Sequence, residues 1–469
     1  MIETERLKVG MASIIQLNFR GDKEAQFALS REELKEASKA LNFELSVYPE
    51  MIATAEQAAS AAKFFIGSRV DFLLVQNTSL ASGLLMAELA SAAPAIGLWA
   101  VKEQRESGFL PQNSLCGLNL NASIMKGYLG KTNFKWFFGD FANPLMGRRF
   151  ALTVAALSAK KALMGAEILH IGGTAPGFIG FYNDERALKK RLGLSVREVE
   201  YGDLKKLALS YPEGKVEKLA EEMESKTPPI SALAKEKTIM SARVKLAIEE
   251  LSGTASAIAM SCWPRFRQDF SFTPCAVFGA LNESGRIIAC EGDILSAASM
   301  LALKAAAGFE PILMDMVSFD EKDDSVQLWH CGVGSRTYAA NGVTLDTHYN
   351  PGPFSDEKGW LLAGPAALME FAPQKLTCMR FAPDANAILT FSGEIIGNKP
   401  LYHGSAGWLG NLEADKAPLT STDLIHTIMT EGFPHHYPLV KGHVESAVRE
   451  MARWLDVRAI EIRPYKEYE

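Results

Sequence analysis

Between residues 9 and 263, short apolar runs alternate with polar, helix-compatible stretches, and this alternation constrains the fold more than any other feature of the chain. VGMASIIQLN (9–18) is followed by KEAQFALSREELKEASKAL and then by FELSVYPE; VDFLLVQN and PAIGLWAV continue the rhythm, with helical stretches near 53–67 and 80–92. Continuous apolar runs suit strands buried on both faces, and helix-length spacers between them suit a parallel sheet. A second round opens with GRRFALTVAALSAKKALM and AEILHIGG and closes with TASAIAMSCW, just before Pro264. Beyond residue 310 the grammar changes to short β-rich runs, PILMDMVSF, SVQLWHCGV, KLTCMRFAP and NAILTFSGEIIG, separated by Gly, Pro, Asp and Asn. That pattern predicts an antiparallel barrel or sandwich. The expected fold class is α/β: two Rossmann-like parallel-sheet domains, 1–145 and 146–272, then a β-rich, barrel-like domain over 273–469 with a closing helix near 444–455, carrying most of the site. A chain of 469 residues is long enough for each unit to bury its own core.

Charge excludes some functions. With 49 Lys+Arg against 55 Asp+Glu the net charge is −6, which argues against a general polyanion-binding surface and so against nucleic acid. The start, MIETERLKVGMASIIQL, lacks the basic beginning and small-residue cleavage site of a signal peptide. The longest apolar stretches, 93–101 and 150–163, are too short to span a bilayer or are broken by Lys160 and Lys161, so a cytoplasmic protein without membrane contact is expected. Six cysteines (Cys116, Cys262, Cys275, Cys290, Cys331, Cys378) show no CxxC spacing and read as buried free thiols. GGTAPG after the strand AEILHI lacks the GxGxxG pattern and reads as a tight turn rather than a nucleotide cradle.

The residues that carry chemistry concentrate late. Seven of eight histidines (His330, His348, His403, His426, His435, His436, His443) follow residue 320. Imidazole is the commonest neutral metal ligand and a proton carrier near neutrality. In EGFPHHYPLVKGH an extended backbone sends His435 and His436 to opposite sides, so one of the two should ligate a metal and the other meet substrate or support the ligand. In CEGDILSAASMLALKAAAG, Glu291 and Asp293 are two residues apart and project to one side in extended geometry, but Asp293 equally suits a helix N-cap with Ser296 three residues on. CWPRFRQDFSFTPC places Trp263, suited to stack on a sugar face or to fill a core, beside Arg265, Arg267 and Asp269. WHCGVGSRTYAANG offers His330 and Arg336, although a histidine within a strand is more often structural.

AMSCWPRFRQDFSFTPC, ACEGDILSAASMLAL, LWHCGVGSRTY and EGFPHHYPLVKGH, in this order, resemble the L-fucose isomerase and L-arabinose isomerase superfamily, especially its fucose-isomerase-like branch. The resemblance implies a metal-dependent aldose–ketose isomerase, an intramolecular oxidoreductase working through an enediol. It also implies Mn²⁺ or another divalent cation, and a homo-oligomer, trimer or hexamer, with sites between subunits. Carried over residue by residue, Asp293 matches an aspartate ligand and Glu291 the glutamate beside it. Asp269 falls at the place of an upstream glutamate ligand, and His436 matches the histidine ligand. The resemblance therefore implies Asp269, Asp293 and His436 as metal ligands, Asp269 and Asp293 as the proton-transferring acids, and Trp263, Glu291, His330 and His435 as substrate contacts. L-Fucose, D- or L-arabinose and an anionic deoxysugar such as sulfoquinovose all fit as the monosaccharide substrate. Two alternatives stand beside this expectation: a catalytically silent sugar-binding or regulatory protein of the same fold, and a metal-dependent aldolase or hydrolase.

Overall fold

The computed structural model describes residues 5–270, 273–347 and 364–469, apart from the side chains of Leu233 and Arg267. His348 lies outside the described residues. The chain divides into two compact units, Thr4–Ser158 and Ala159–Glu469.

The first unit is built on β1 (Lys8–Ile14), β2 (Glu44–Ile52), β3 (Phe72–Asn77), β4 (Ala95–Ala100) and β5 (Phe134–Phe138). They form a parallel sheet in the order β2-β1-β3-β4-β5. Both β3 and β4 are buried at every position, which is why they read as unbroken apolar runs rather than as alternating ones. The helices between strands start at side-chain caps: Asp22 caps Lys23–Ala40, and Thr54 with Gln57 forms a reciprocal capping box at the head of Ala55–Gly67. The stretch expected to be helical over 80–92 is helical only over Gly83–Leu89, where Ser82 caps it. The boundary expected near 145 falls at the start of a 20-residue helix, Pro144–Leu163.

The second unit opens with a parallel sheet of β6 (Glu167–Ile171), β7 (Ser195–Val199), β8 (Ala257–Met260) and β9 (Ile288–Ala289), in the order β7-β6-β8-β9. Because β9 belongs to it, this sheet reaches past residue 272. The chain then forms β10 (Ile312–Asp320), β11 (Ser325–His330), β12 (Thr344–Asp346), β13 (Ala366–Glu370), β14 (Lys375–Phe381), β15 (Ala387–Ile396), β16 (Ser405–Ala414), β17 (Ala417–Pro418), β18 (His436–Lys441) and β19 (Arg458–Ala459). Antiparallel pairing runs β16-β11-β10-β18-β14-β15 and returns from β15 to β16, so these six strands close a barrel; β12, β13, β17 and β19 attach at its rim. Closure leaves those six strands no open edge. The fold is thus two parallel α/β sheets followed by a C-terminal antiparallel barrel.

Helix Ile294–Ala307 joins the two parts of this unit. It packs on β14 and β18 of the barrel and on β8 of the sheet, and its first ten residues are all buried. Its N-terminus follows β9 directly, at the carboxyl ends of the parallel strands, where open α/β sheets form their binding crevices. Among the described residues no helix is long and apolar enough to cross a membrane.

Candidate active site

Four residues, Cys290 to Asp293, turn the chain from β9 into helix Ile294–Ala307. Glu291 (φ 60°) and Gly292 (φ 72°) both lie in the left-handed region. A Cβ at Gly292 would stand 2.2 Å from the carbonyl oxygen of Gly173, so only glycine fits there. Glu291 has no such excuse and costs about 1–2 kcal/mol in this conformation, a strain that persists only where neighbours enforce it. The GGTAPG loop does so: the Ala175 amide donates to the Glu291 carbonyl at 2.9 Å. The loop is the expected turn, and its role is to hold the backbone of Glu291.

Asp293 is fully buried and caps the helix, accepting from the Ser296 amide (3.0 Å) and the Ser296 hydroxyl (2.7 Å). Its Oδ2 also accepts from buried Arg380 of β14 and from His436 Nδ1 at 2.9 Å. Burial alone would raise this carboxyl, but the Arg380 guanidinium and the His436 bond overcome it and hold the group well below the usual carboxylate range. Asp293 is therefore a permanent anion with its lone pairs committed.

That bond fixes His436. With Nδ1 donating to Asp293, Nε2 presents its lone pair to the other side, the arrangement by which a carboxylate orients a metal-binding imidazole. Around Nε2 stand Glu291 Oε2 at 3.4 Å, Asp315 Oδ1 at 3.6 Å and Cys290 Sγ at 3.7 Å. Asp315 arrives because β10 pairs with β18 in the register Asp315–His436. Phe181 stacks on the imidazole, with centroids 4.8 Å apart and planes at 15°. His435 leaves the backbone on the other side, its side chain 41% exposed against 1% for His436, and its Nε2 lies 3.3 Å from Glu291 Oε2.

A proton or a cation relieves the electrostatics of this cluster. Buried Asp315 Oδ1 has no hydrogen-bond partner, buried Glu291 Oε2 has only the His435 imidazole at 3.3 Å, and both face the lone pair of His436 Nε2. Lone pairs turned toward one another repel unless a proton or a metal lies among them. Burial pushes the Asp315 carboxyl up to about 6 even though His436 and His435 pull it down. Burial also works against a charge on His435, yet its bond to Glu291 and the charges of Asp315 and Asp293 raise it above the usual imidazole value. Ligand atoms of Glu291, His435 and His436 lie within 4.8 Å of one another, and their mixed oxygen and imidazole character fits a divalent cation of the Mn²⁺ type.

The residues singled out in the sequence divide. Glu291, Asp293, His330, His435 and His436 come together, with Asp293 reaching the cluster as the acceptor of His436 Nδ1. Asp269 sits on the short helix Arg265–Phe270, paired with Lys205 at 2.8 Å, and is not brought to His436. Trp263 is 46% exposed beyond β8, and the Arg265 guanidinium lies 4.6 Å over the ring of Tyr201. Arg336 pairs with Glu283, and His403, His426 and His443 face Asp346, Glu469 and Glu413. Of the six cysteines Cys275, Cys290 and Cys378 are buried, whereas Cys116 is exposed. Asp315, Arg380 and Phe181 escape the sequence reading. The first two left a trace, a charge interrupting an apolar strand in PILMDMVSF and KLTCMRFAP; Phe181 left none.

No family model matches the chain. It is 27% identical over 425 residues to proteins named sulfoquinovose isomerase from Priestia aryabhattai and Priestia megaterium, covering 88% of this chain and 90% of theirs. A third so named, from Alkalicoccus urumqiensis, is 27% identical over 406 residues, covering 85% of this chain and 87% of its own. A solute-binding protein from Actinobacillus succinogenes with bound D-allose aligns over 65% of this chain and 92% of its own at 12% identity, but with a TM-score of 0.18, too low to bear on the fold. Likeness to these isomerases over nearly the whole length identifies this chain as an enzyme, an aldose–ketose isomerase.

Proposed function

We propose that the chain interconverts the aldose and ketose forms of sulfoquinovose, or of a closely similar anionic sugar, through an enediol, with a divalent cation held by Glu291, His435 and His436. The observation that carries this reading is the convergence of the buried Glu291 and Asp315 oxygens on an imidazole nitrogen whose lone pair Asp293 has turned toward them.

When bound, the cation supplies positive charge beside the two sugar oxygens between which the carbonyl migrates. The chain's own residues do the rest. Asp315, a carboxyl raised to about 6, takes a proton from C2 and returns it to C1; a group titrating near working pH can both accept and release it. Asp293 cannot share this task because its oxygens are already committed to Arg380, Ser296 and His436. It works through His436, keeping one tautomer and one ring orientation. Phe178 and Phe181 wall the two imidazoles, and Phe181, stacked on His436, excludes water from that face.

The test is an NMR assay of purified chain with Mn²⁺ against sulfoquinovose and uncharged aldoses. The expected result is ketose formation from sulfoquinovose that stops on chelation and resumes on Mn²⁺ addition. Equal turnover in excess chelator would remove the cation from the mechanism, and turnover of uncharged aldoses alone would remove the anionic substrate.

A further inference from the structure

Two sulfurs from different elements meet beside the site. Cys275 opens helix Cys275–Glu283 and Cys331 follows β11 directly, and their Sγ atoms lie 3.4 Å apart. One turn along the helix, a Cβ on Gly279 would stand 2.6 Å from the Gly334 carbonyl oxygen, so helix and strand end pack with no room for a side chain between them. Both thiols are free, Cys275 buried and Cys331 half-buried, and the pair meets solvent through Cys331. A helix N-terminus favours a thiolate, which makes Cys275 the better nucleophile of the two. Its bond to Cys275 holds the Cys331 thiol well above the usual thiol value, so Cys331 keeps its proton.

Cys331 is also tied to the site. Its amide donates to His330 Nδ1 at 2.9 Å, so His330 Nε2 carries the ring proton and donates toward Cys290 Sγ at 3.1 Å. Cys290 precedes Glu291 and begins the turn that holds it in the left-handed region. Formation of an S–S bond closes more than an ångström between the two sulfurs, and Cys331 Sγ, 3.4 Å from His330 Nδ1 in the thiol form, is drawn off that ring.

We propose that a hydroperoxide converts Cys275 and Cys331 into a reversible disulfide, and that the bridge slows the isomerase by disturbing His330 and, through Cys290, the turn at Glu291. Hydrogen peroxide gives one oxygen to the Cys275 sulfur as the O–O bond breaks, and its other oxygen leaves as water. The Cys331 sulfur then displaces the oxygen from Cys275, and that oxygen leaves with the Cys331 proton as a second water. The two sulfurs lose two electrons in all, and the peroxide oxygens gain them. The slowing rests on the role given to Glu291 above; the disulfide does not.

The experiment treats the full chain with hydrogen peroxide in the presence of chelator, blocks the remaining thiols and maps linked peptides by mass spectrometry. Turnover of sulfoquinovose is read after Mn²⁺ addition, before and after reduction with dithiothreitol. The expected result is a peptide linking Cys275 to Cys331 and a kcat lowered at least about tenfold, within the roughly 100-fold that an ångström of misplacement brings, both reversed by the reductant. Cys275→Ser should turn over normally, form no such peptide and resist the same dose; Cys275→Ala replaces it should that variant fail to fold. Treated protein without the linked peptide, a bridge found instead between Cys262 and Cys290, or equal inactivation of the Cys275 variants would overturn the proposal. A bridged chain with unchanged kcat would overturn its effect on the turn. Because the linked peptide is read without sugar, a chain that forms the bridge and, untreated, converts no sulfoquinovose would sink the substrate reading and leave the disulfide standing.

Discussion

His436 donates from Nδ1 to Asp293 across 2.9 Å, and neither residue keeps an independent role once that bond is made. Asp293 is simultaneously the cap of helix Ile294–Ala307 and the partner of Arg380, so its charge ties helix, β14 and β18 into one polar junction inside the protein. Asp293→Asn keeps the cap's shape but leaves the Arg380 guanidinium buried without its anion. Breaking a buried pair in this way costs roughly 3–5 kcal/mol. Denaturant unfolding should show a loss of that order, together with a 10–100-fold fall in Mn²⁺ affinity from the unanchored imidazole. A variant of normal stability and normal affinity would refute the junction.

Glu291→Gln and Asp269→Asn should behave in opposite ways. The first removes the carboxylate that both histidines face, and kcat should fall at least about 100-fold with cation affinity falling alongside. The second removes only the partly exposed pair with Lys205, worth up to about 1 kcal/mol, and should leave Mn²⁺ affinity unchanged. Isothermal titration of Mn²⁺ into the two variants separates them, and a loss of affinity in Asp269→Asn would restore that residue as a ligand.

The Asp315 carboxyl titrates at about 6 in the folded protein against an ordinary 3.8. Between those values the folded state holds a proton that the unfolded chain has released, so the contribution of Asp315 to stability decreases as pH rises from about 4 and levels off above 6. Comparing chelated wild type with Asp315→Asn isolates this slope from that of every other group. Unfolding free energies of the two proteins that run parallel from pH 4 to 7 would show that the carboxyl is not held protonated.

Gly292→Ala tests the turn itself. Its φ of 72° and the 2.2 Å approach to the Gly173 carbonyl oxygen leave no room for a methyl group, so the CEGD turn and the GGTAPG loop must part. The left-handed conformation alone costs about 1–2 kcal/mol, and the displaced Glu291 should lower kcat about 100-fold, as misplacement of a reacting group by an ångström does. Thermal unfolding and turnover together check this; an alanine variant with unchanged kcat would mean that the turn does not position Glu291.

Local pattern was enough for much of the architecture. Runs such as VDFLLVQN read as strands because burial on both faces removes every polar residue from them, and helices announced themselves through caps such as Thr54 with Gln57. The double-histidine loop and the CEGD turn also declared themselves, since extended backbone and strand-to-helix turns dictate where neighbouring side chains point. What the sequence could not decide is which acid does what. Asp293 and Asp315 are the same residue type, and only the approach of Arg380 from β14 makes one a fixed anion, while the pairing of β10 with β18 sets the other against imidazoles too weak to offset its burial. Asp269, which resemblance placed among the ligands, is held on another element by Lys205. Periodicity is a property of the chain that neighbouring residues write together, whereas the charge state of Asp293 is set by groups some 90 to 140 positions away that tertiary packing alone brings near.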